Sequence, residues 1–331
     1  MKKYGFNMLW MFIFSGKKAE KPDLKQLDFI AKHGFNYIRV PMDYRFWTRD
    51  FDYFNPDENI FKSIDTYLSE CRQRGLHVSF NFHRAPGYCI NRNDLEKHNL
   101  WKDKEAQDAF VFMWEWFTRR YKDVSSDDLS FDLLNEPPEI GEYGFTRKKH
   151  EKVMRHVIDA IRKIDPNRLL ILNGIGGGGD AIPELSDTGV IHSGRGYEPF
   201  TVSHYRAEWV DFGKDYIWKD PEYPGMCYGE KWDKSKLIKY YKPWRKVEDS
   251  GTEIHIGEFG CYNKTPNDIA LRWFTDLLDI YREHKWGYAL WNFKGAFGIV
   301  NHGRPGTKYE VIDGFKIDRE LLDLLLNNMI K

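Results

Sequence analysis

The chain has 331 residues, long enough to bury a large core, and 41% of them are apolar, which excludes a disordered chain. Its 50 basic and 50 acidic side chains cancel, which removes the electrostatic reason to expect nucleic acid or an anionic membrane as partner and suits a neutral polymer. The four cysteines (Cys71, Cys89, Cys227, Cys261) form no CxxC pair, so they read as reduced thiols rather than as a zinc site or a disulfide frame.

In chain order, strand-like and helix-like stretches alternate throughout. Phe6–Phe12 reads as a first strand. Lys2 and Lys3 before the apolar run Phe6–Phe14 imitate a signal peptide, but Asn7 interrupts the run and Lys17-Lys18 follow in place of a small-residue cleavage site, so a buried strand is expected. Asp23–His33 follows as an amphipathic helix, then Tyr37–Val40 as a strand and Ile60–Arg74 as a helix. His77–Phe82 and Lys104–Tyr121 make the third pair, Leu129–Leu134 and His150–Ile164 the fourth. Leu169–Leu172 is the fifth strand and Val190–His192 the sixth. Ile254–Gly257 with Ala270–His284 is the seventh pair, and Tyr288–Trp291 with a helix over Arg319–Ile330 closes the series.

Eight short β runs alternating with helices predict an α/β fold, a single (β/α)₈ TIM barrel spanning 1–331, rather than an open doubly wound sheet. The long aromatic segment Phe200–Trp244 after the sixth strand is placed to wall a cleft. No segment is long and apolar enough to span a membrane.

In such a barrel, catalytic groups sit at the C-terminal ends of strands. Asp132-Leu133-Leu134-Asn135-Glu136-Pro137 puts a glutamate where the fourth strand meets its loop, and Ile256-Gly257-Glu258-Phe259-Gly260 does so for the seventh. Glycoside hydrolysis needs two such carboxyl groups, one to protonate the leaving oxygen and one to attack or stabilise the oxocarbenium-like centre.

At these residues the sequence resembles glycoside hydrolase family 5, the cellulase and mannanase family of the four/seven barrel clan. The resemblance runs from Gly5-Phe6-Asn7 to Trp291. It rests on the Asn-Glu-Pro element, Arg39 in Tyr-Ile-Arg-Val-Pro, His83 in Phe-His-Arg-Ala-Pro-Gly-Tyr, and Trp291 before Asn292. It implies a retaining hydrolase of β-1,4-glucan, of cellulase or endo-β-1,4-glucanase type, with Glu136 as acid/base and Glu258 as nucleophile. Arg39 would keep Glu258 ionised, Asn135 would bond the sugar 2-hydroxyl, and His83 would meet a substrate hydroxyl or the network around Glu258. Tyr197 would donate to Glu258, and Trp291 would floor the subsite beside the cleavage point. Glu136 must hold its proton near neutral pH, so the neighbouring Glu258 charge should raise its pKa.

One departure stands out. Where the family shows His-x-Tyr after the sixth strand, this chain has Arg195-Gly196-Tyr197. A fixed cation beside Glu136 would favour its ionised form, unless His204 supplies an imidazole from a loop that folds back.

Among the loop tryptophans, Trp47, Trp101, Trp209, Trp218 and Trp232 are candidate sugar platforms, whereas Trp114 and Trp116 lie in a helical stretch and read as packing. Gly174-Ile175-Gly176-Gly177-Gly178-Gly179 satisfies GxGxxG, but Asp180-Ala181-Ile182-Pro183 follows where a dinucleotide site needs a helix, so a close-packed loop is expected and no cofactor. His77, His83, His192, His204 and His255 repeat no ligand spacing, so no metal is expected. The expected partner is a β-linked polysaccharide or oligosaccharide, handled by a monomer. The alternatives are a β-mannanase or other β-glycan hydrolase of the same family, or a non-catalytic carbohydrate-binding barrel. Two locations stay open: export, with a leader already removed, or the cytoplasm.

Overall fold

The computed structural model describes residues 2–12, 19–210, 213 and 216–330. Ile13, Phe14, Lys17 and Lys18, which entered the signal-peptide comparison, lie outside them. Strands β1 (Tyr4–Asn7), β2 (Tyr37–Asp43), β3 (His77–Arg84), β4 (Leu129–Asp132), β5 (Leu169–Asn173) and β6 (Ile191–Gly196) come first in the chain, with helices α1 (Leu24–Lys32), α2 (Glu58–Gln73), α3 (Lys104–Tyr121) and α4 (Arg147–Ile164) among them. Beyond β6 lie α5 (Phe200–Ser203), a hairpin of β7 (Gly225–Cys227) and β8 (Glu230–Trp232), α6 (Lys234–Tyr240) and α7 (Lys242–Asp249). β9 (Ile254–Phe259), α8 (Asn267–Glu283) and β10 (Gly287–Leu290) follow, and the chain closes with a hairpin of β11 (Tyr309–Ile312) and β12 (Phe315–Asp318) and with α9 (Arg319–Asn327).

The main sheet is a closed parallel barrel in the order β1-β10-β9-β6-β5-β4-β3-β2, the predicted (β/α)₈ class. β9 is therefore the seventh barrel strand and β10 the eighth. Strands buried along their whole length are what a sheet covered by helices requires, and the strands β2, β3, β4 and β9 are buried at every residue. The chain packs as two units, Met8–Gly194 with Lys246–His255, and Met1–Asn7 with Arg195–Arg245 and Ile256–Lys331.

In the first of these units the registers run Arg39 opposite Ser79, Ser79 opposite Ser130, and Asn81 opposite Asp132. Small and polar side chains thus recur along neighbouring strands, and His77 bonds Ser130 Oγ through Nε2 at 2.8 Å. Aspartates at the starts of α1 and α2 and Thr146 before α4 accept from backbone N–H groups of the first turn, offsetting the orphan donors of each helix. Trp114 on α3 stacks on Phe82 at 4.1 Å and gives its indole N–H to Leu133 O, as a packing residue would.

In the second unit β1 pairs with β10, Tyr4 opposite Tyr288. The first strand ends earlier than expected: Asn7 closes it, and Leu9–Met11 form a turn of 3₁₀ helix. The cause is Asn7 itself, whose buried amide bonds the carbonyls of Gly257 (3.0 Å), Ala289 (3.4 Å) and Leu290 (3.3 Å). The sixth strand runs on to Gly196, so Arg195 is a strand residue. No helix among the described residues is long and apolar enough to cross a membrane. All four cysteines are free and buried, and burial pushes the Cys71 and Cys89 thiols up to about 12.

Burial depresses several histidines, most of all His150 to about 3 and His192 and His204 to about 4. Unfolded, each titrates near about 6.5. Between these limits the unfolded chain binds the extra protons, so this contribution is present above about 6.5 and is lost as pH falls toward 4. Each histidine should cost about 1.4 kcal/mol per pH unit in that window. The urea midpoint is therefore expected to drop steeply between about pH 7 and pH 5. A midpoint unchanged over that range would contradict neutral burial.

Candidate active site

The site residues fall into two groups, one in each unit. In the first, the buried Arg39 guanidinium at the heart of β2 donates from Nε to Asp132 Oδ2 (2.7 Å) and from Nη2 to Asn135 Oδ1 (2.9 Å). A guanidinium can only donate, so this bond settles which way round the Asn135 amide points. Asp132 Oδ1 in turn accepts from Asn173 Nδ2 at 2.7 Å, and Asn173 Oδ1 accepts from the Glu136 N–H at 3.2 Å. Asp132, at the end of β4, thus aligns Asn135 and the Glu136 backbone through one buried network.

Glu136 has φ +43°, a left-handed conformation that costs a non-glycine residue about 1–3 kcal/mol and persists only where its surroundings over-determine it. Besides Asn173, the buried Tyr88 hydroxyl supports it, donating to Glu136 O at 2.6 Å. Tyr88 sits in the loop after β3, whose shape is set by Glu96. That carboxylate accepts from Arg84 (2.6 Å), the Tyr44 hydroxyl (2.7 Å) and Gly87 N (3.0 Å). Gly87 must be glycine, because its φ is +80° and a Cβ there would lie 2.5 Å from Leu100 N. His83, near the end of β3, is buried with its ring 4.1 Å from that of Phe12.

The second group surrounds Glu258, the penultimate residue of β9, which is buried. Its Oε1 faces Arg195 Nη2 at 3.3 Å and its Oε2 accepts from the Tyr197 hydroxyl at 3.1 Å. Arg195, which stands where the family shows a histidine, is thus bonded to Glu258. It belongs to β6, where its carbonyl is held by the Tyr241 hydroxyl at 2.9 Å. Gly196 makes this approach possible: a Cβ on it would run into the Tyr281 hydroxyl and the Phe259 side chain.

His204 does fold back beside Tyr197, their rings 5.0 Å apart. It stacks on Phe200 at 4.5 Å, meets Ser203 Oγ at 2.8 Å through Nδ1 and is neutral through burial. Asn7, bonded to Gly257 O, steadies the backbone just before Glu258. Trp291 is partly exposed, donates its backbone N–H to Phe259 O at 2.8 Å, and has a cis peptide to Asn292.

Three of the expected sugar platforms are corrected. Trp47 is 1% exposed, among Phe61, Phe82 and Phe117; Trp101 is 2% exposed, edge-on to Tyr88 and Phe145; and Trp232 is 6% exposed under Lys236. A ring buried at a loop base gains more from packing than it could offer a ligand. Trp209 is 53% exposed. The glycine-rich stretch after β5 forms a tight turn whose Gly176 and Gly177 N–H groups bond Pro138 O and Pro137 O, so it braces the Asn-Glu-Pro segment.

Sequence reasoning missed Asn7, Asn173, Tyr88 and Tyr241. A lone amide inside an apolar strand was the available signal for Asn7, and an asparagine closing the fifth strand was the signal for Asn173. Tyr88 and Tyr241 carried none. No group of three or more His, Cys, Asp or Glu side chains among the described residues could hold a metal ion.

A family model described as cellulase (glycosyl hydrolase family 5) matches residues 2–297. Endoglucanase C of Acetivibrio thermocellus is 27% identical over 87% of this chain and 89% of its own length. Cellodextrinase A of Ruminococcus flavefaciens is 26% identical over 80% of this chain and 76% of its own. A crystal structure of a glycoside hydrolase superposes over 100% of both chains with 58% identity and a TM-score of 0.97. Thermotoga maritima Cel5A, crystallised with cellobiose, shares the fold at 22% identity and a TM-score of 0.77, over 98% of this chain and 96% of its own.

Proposed function

Because the chain belongs to glycosyl hydrolase family 5 and is a glycoside hydrolase, we propose that it hydrolyses β-1,4-linked glucan by double displacement, with Glu258 as nucleophile and Glu136 as acid/base. The observation that carries this reading is the setting of Glu258: a buried carboxylate at the end of a barrel strand, each oxygen met by a donor, Arg195 and Tyr197. Such donors orient a carboxylate for attack.

On this reading a Glu258 oxygen attacks the anomeric carbon while the Glu136 carboxyl gives its proton to the glycosidic oxygen, and the shortened chain leaves. Glu136, now a carboxylate, takes a proton from water; that water attacks the same carbon, and Glu258 departs. Asn135, its amide turned by Arg39, meets the sugar 2-hydroxyl, and Trp291 floors the adjoining subsite. Residues 1–331 act as one catalytic domain in a monomer. The substrate class is supported by the endoglucanase and cellodextrinase relatives and by the zero net charge, which suits a neutral polymer.

Reducing-sugar release should be measured on carboxymethyl-cellulose, barley β-glucan, glucomannan, mannan and xylan, with the first-formed anomer of the product read by proton NMR. Cleavage of the glucans with β-anomer formed first is expected. A first-formed α-anomer would overturn double displacement, and cleavage confined to mannan would overturn the substrate.

A further inference from the structure

The backbone of Glu136 is bent against its preference, with φ +43°. Two peptide planes meet at its Cα, and together they decide where its side chain points. The plane before it is held through the Glu136 N–H, which Asn173 Oδ1 accepts at 3.2 Å. The plane after it runs into Pro137, which has no N–H, so the Glu136 carbonyl is the polar handle of that plane. The Tyr88 hydroxyl grips this handle at 2.6 Å.

Tyr88 is itself rigidly held. It closes a tight turn with Ala85, Ala85 N to Tyr88 O at 2.9 Å and Tyr88 N to Ala85 O at 3.0 Å. Inside that turn Gly87 gives its N–H to Glu96 Oε2 at 3.0 Å and accepts the Leu100 N–H at 3.0 Å. The Glu96 carboxylate is fixed in turn by Arg84 and the Tyr44 hydroxyl, and Arg84 also meets the buried Asp43 at 3.3 Å. Buried ion pairs of this kind are weak as a source of stability, and their use here is geometric. Trp101 packs edge-on to the Tyr88 ring at 5.6 Å. Burial above all, then the neighbouring Cys89 and Glu136 groups, holds the phenol well above the usual tyrosine range, so Tyr88 stays a donor through neutral pH.

We propose that Tyr88 is a positioning residue for proton transfer alone. By setting the Glu136–Pro137 peptide plane it aims the Glu136 carboxyl, which gives its proton to the glycosidic oxygen and later takes one from the attacking water. The attack by Glu258 does not draw on it. This rests on the reading of Glu136 as acid/base. Without the hydroxyl the strained backbone of Glu136 is free to relax, and a carboxyl displaced by about 1 Å loses much of its advantage in proton transfer. A dinitrophenolate leaving group departs without a proton, so its release should not sense Tyr88.

The test compares kcat/KM for cellotetraose, whose leaving group must be protonated, with kcat/KM for dinitrophenyl β-cellobioside in wild type, Tyr88→Phe and Glu136→Ala. Tyr88→Phe is expected to lose about 10- to 100-fold on cellotetraose and less than about threefold on the aryl glycoside. The ratio of the two constants is independent of how much of the protein is folded, so partial unfolding cannot imitate the result. On the aryl glycoside kcat should still fall, because Glu136 draws the proton from water in the second step. Added azide, which attacks the anomeric carbon without a base as Glu258 departs, should restore that kcat with glycosyl azide as product. Tyr121→Phe removes another buried hydroxyl, one that bonds Asp65 between α3 and α2 at 2.9 Å, and should leave the ratio unchanged. Equal losses on both substrates, or no loss on either, would overturn the role of Tyr88 while a discriminating Glu136→Ala keeps the acid/base reading standing. A Glu136→Ala protein that treats both substrates alike would overturn that reading and this inference with it.

Discussion

Glu258→Ala is expected to lower kcat on barley β-glucan by about 10⁴- to 10⁶-fold, the scale on which removal of an attacking residue is felt. The unfolding transition should stay cooperative but move down, because removing the carboxylate leaves the buried Arg195 guanidinium without one partner while Tyr241 still holds the Arg195 backbone. Added azide or formate, small enough to enter the space of the missing side chain, should restore part of the turnover by supplying an anion for the departed nucleophile. Activity within about tenfold of wild type would remove Glu258 from the mechanism. The same loss of activity accompanied by collapse of the unfolding transition would assign it to folding instead.

Arg39→Met should produce the largest loss of stability, about 3–5 kcal/mol, because it strands a buried carboxylate. Arg39 and Asp132 are both fully buried and their 2.7 Å contact is an ion pair, so the methionine variant leaves Asp132 charged with Asn173 as its remaining donor. Catalysis should fall as well, since the bond that turns the Asn135 amide is lost. Urea unfolding and steady-state kinetics on β-glucan measure the two effects. Adding Asp132→Asn to Arg39→Met removes the uncompensated charge and should recover part of the lost stability without recovering activity. A single variant destabilised by less than about 1 kcal/mol would show the pair to be ordinary packing.

The barrel was legible because its determinants are local. Helical periodicity marked α3 at its observed bounds, and runs such as Ile254-His255-Ile256 could be strands only. The two hairpins were legible in principle and were passed over. β7–β8 turns through Tyr228-Gly229 and β11–β12 through Asp313-Gly314, each pair with positive φ at both positions, and Asp-Gly is a strong short-range hairpin signal. Element ends were harder, because they depend on partners distant in sequence. Asn7 ends β1 by bonding carbonyls some 250 and 280 residues away.

By itself the sequence determined the eight barrel strands, the two glutamates at strand ends and the aromatic supply, since each depends on residue type and spacing along the chain. The tertiary structure decided which groups meet: Arg195 with Glu258, Arg39 with Asp132 and Asn135, Tyr88 with Glu136. It also decided which tryptophans pack inside and which reach solvent, burying Trp47, Trp101 and Trp232 and exposing Trp209. The physical reason is that a charge or a ring is drawn to whatever desolvated partner the fold brings within a few ångströms, and that neighbour is chosen by the closure of the sheet, on which spacing along the chain is silent.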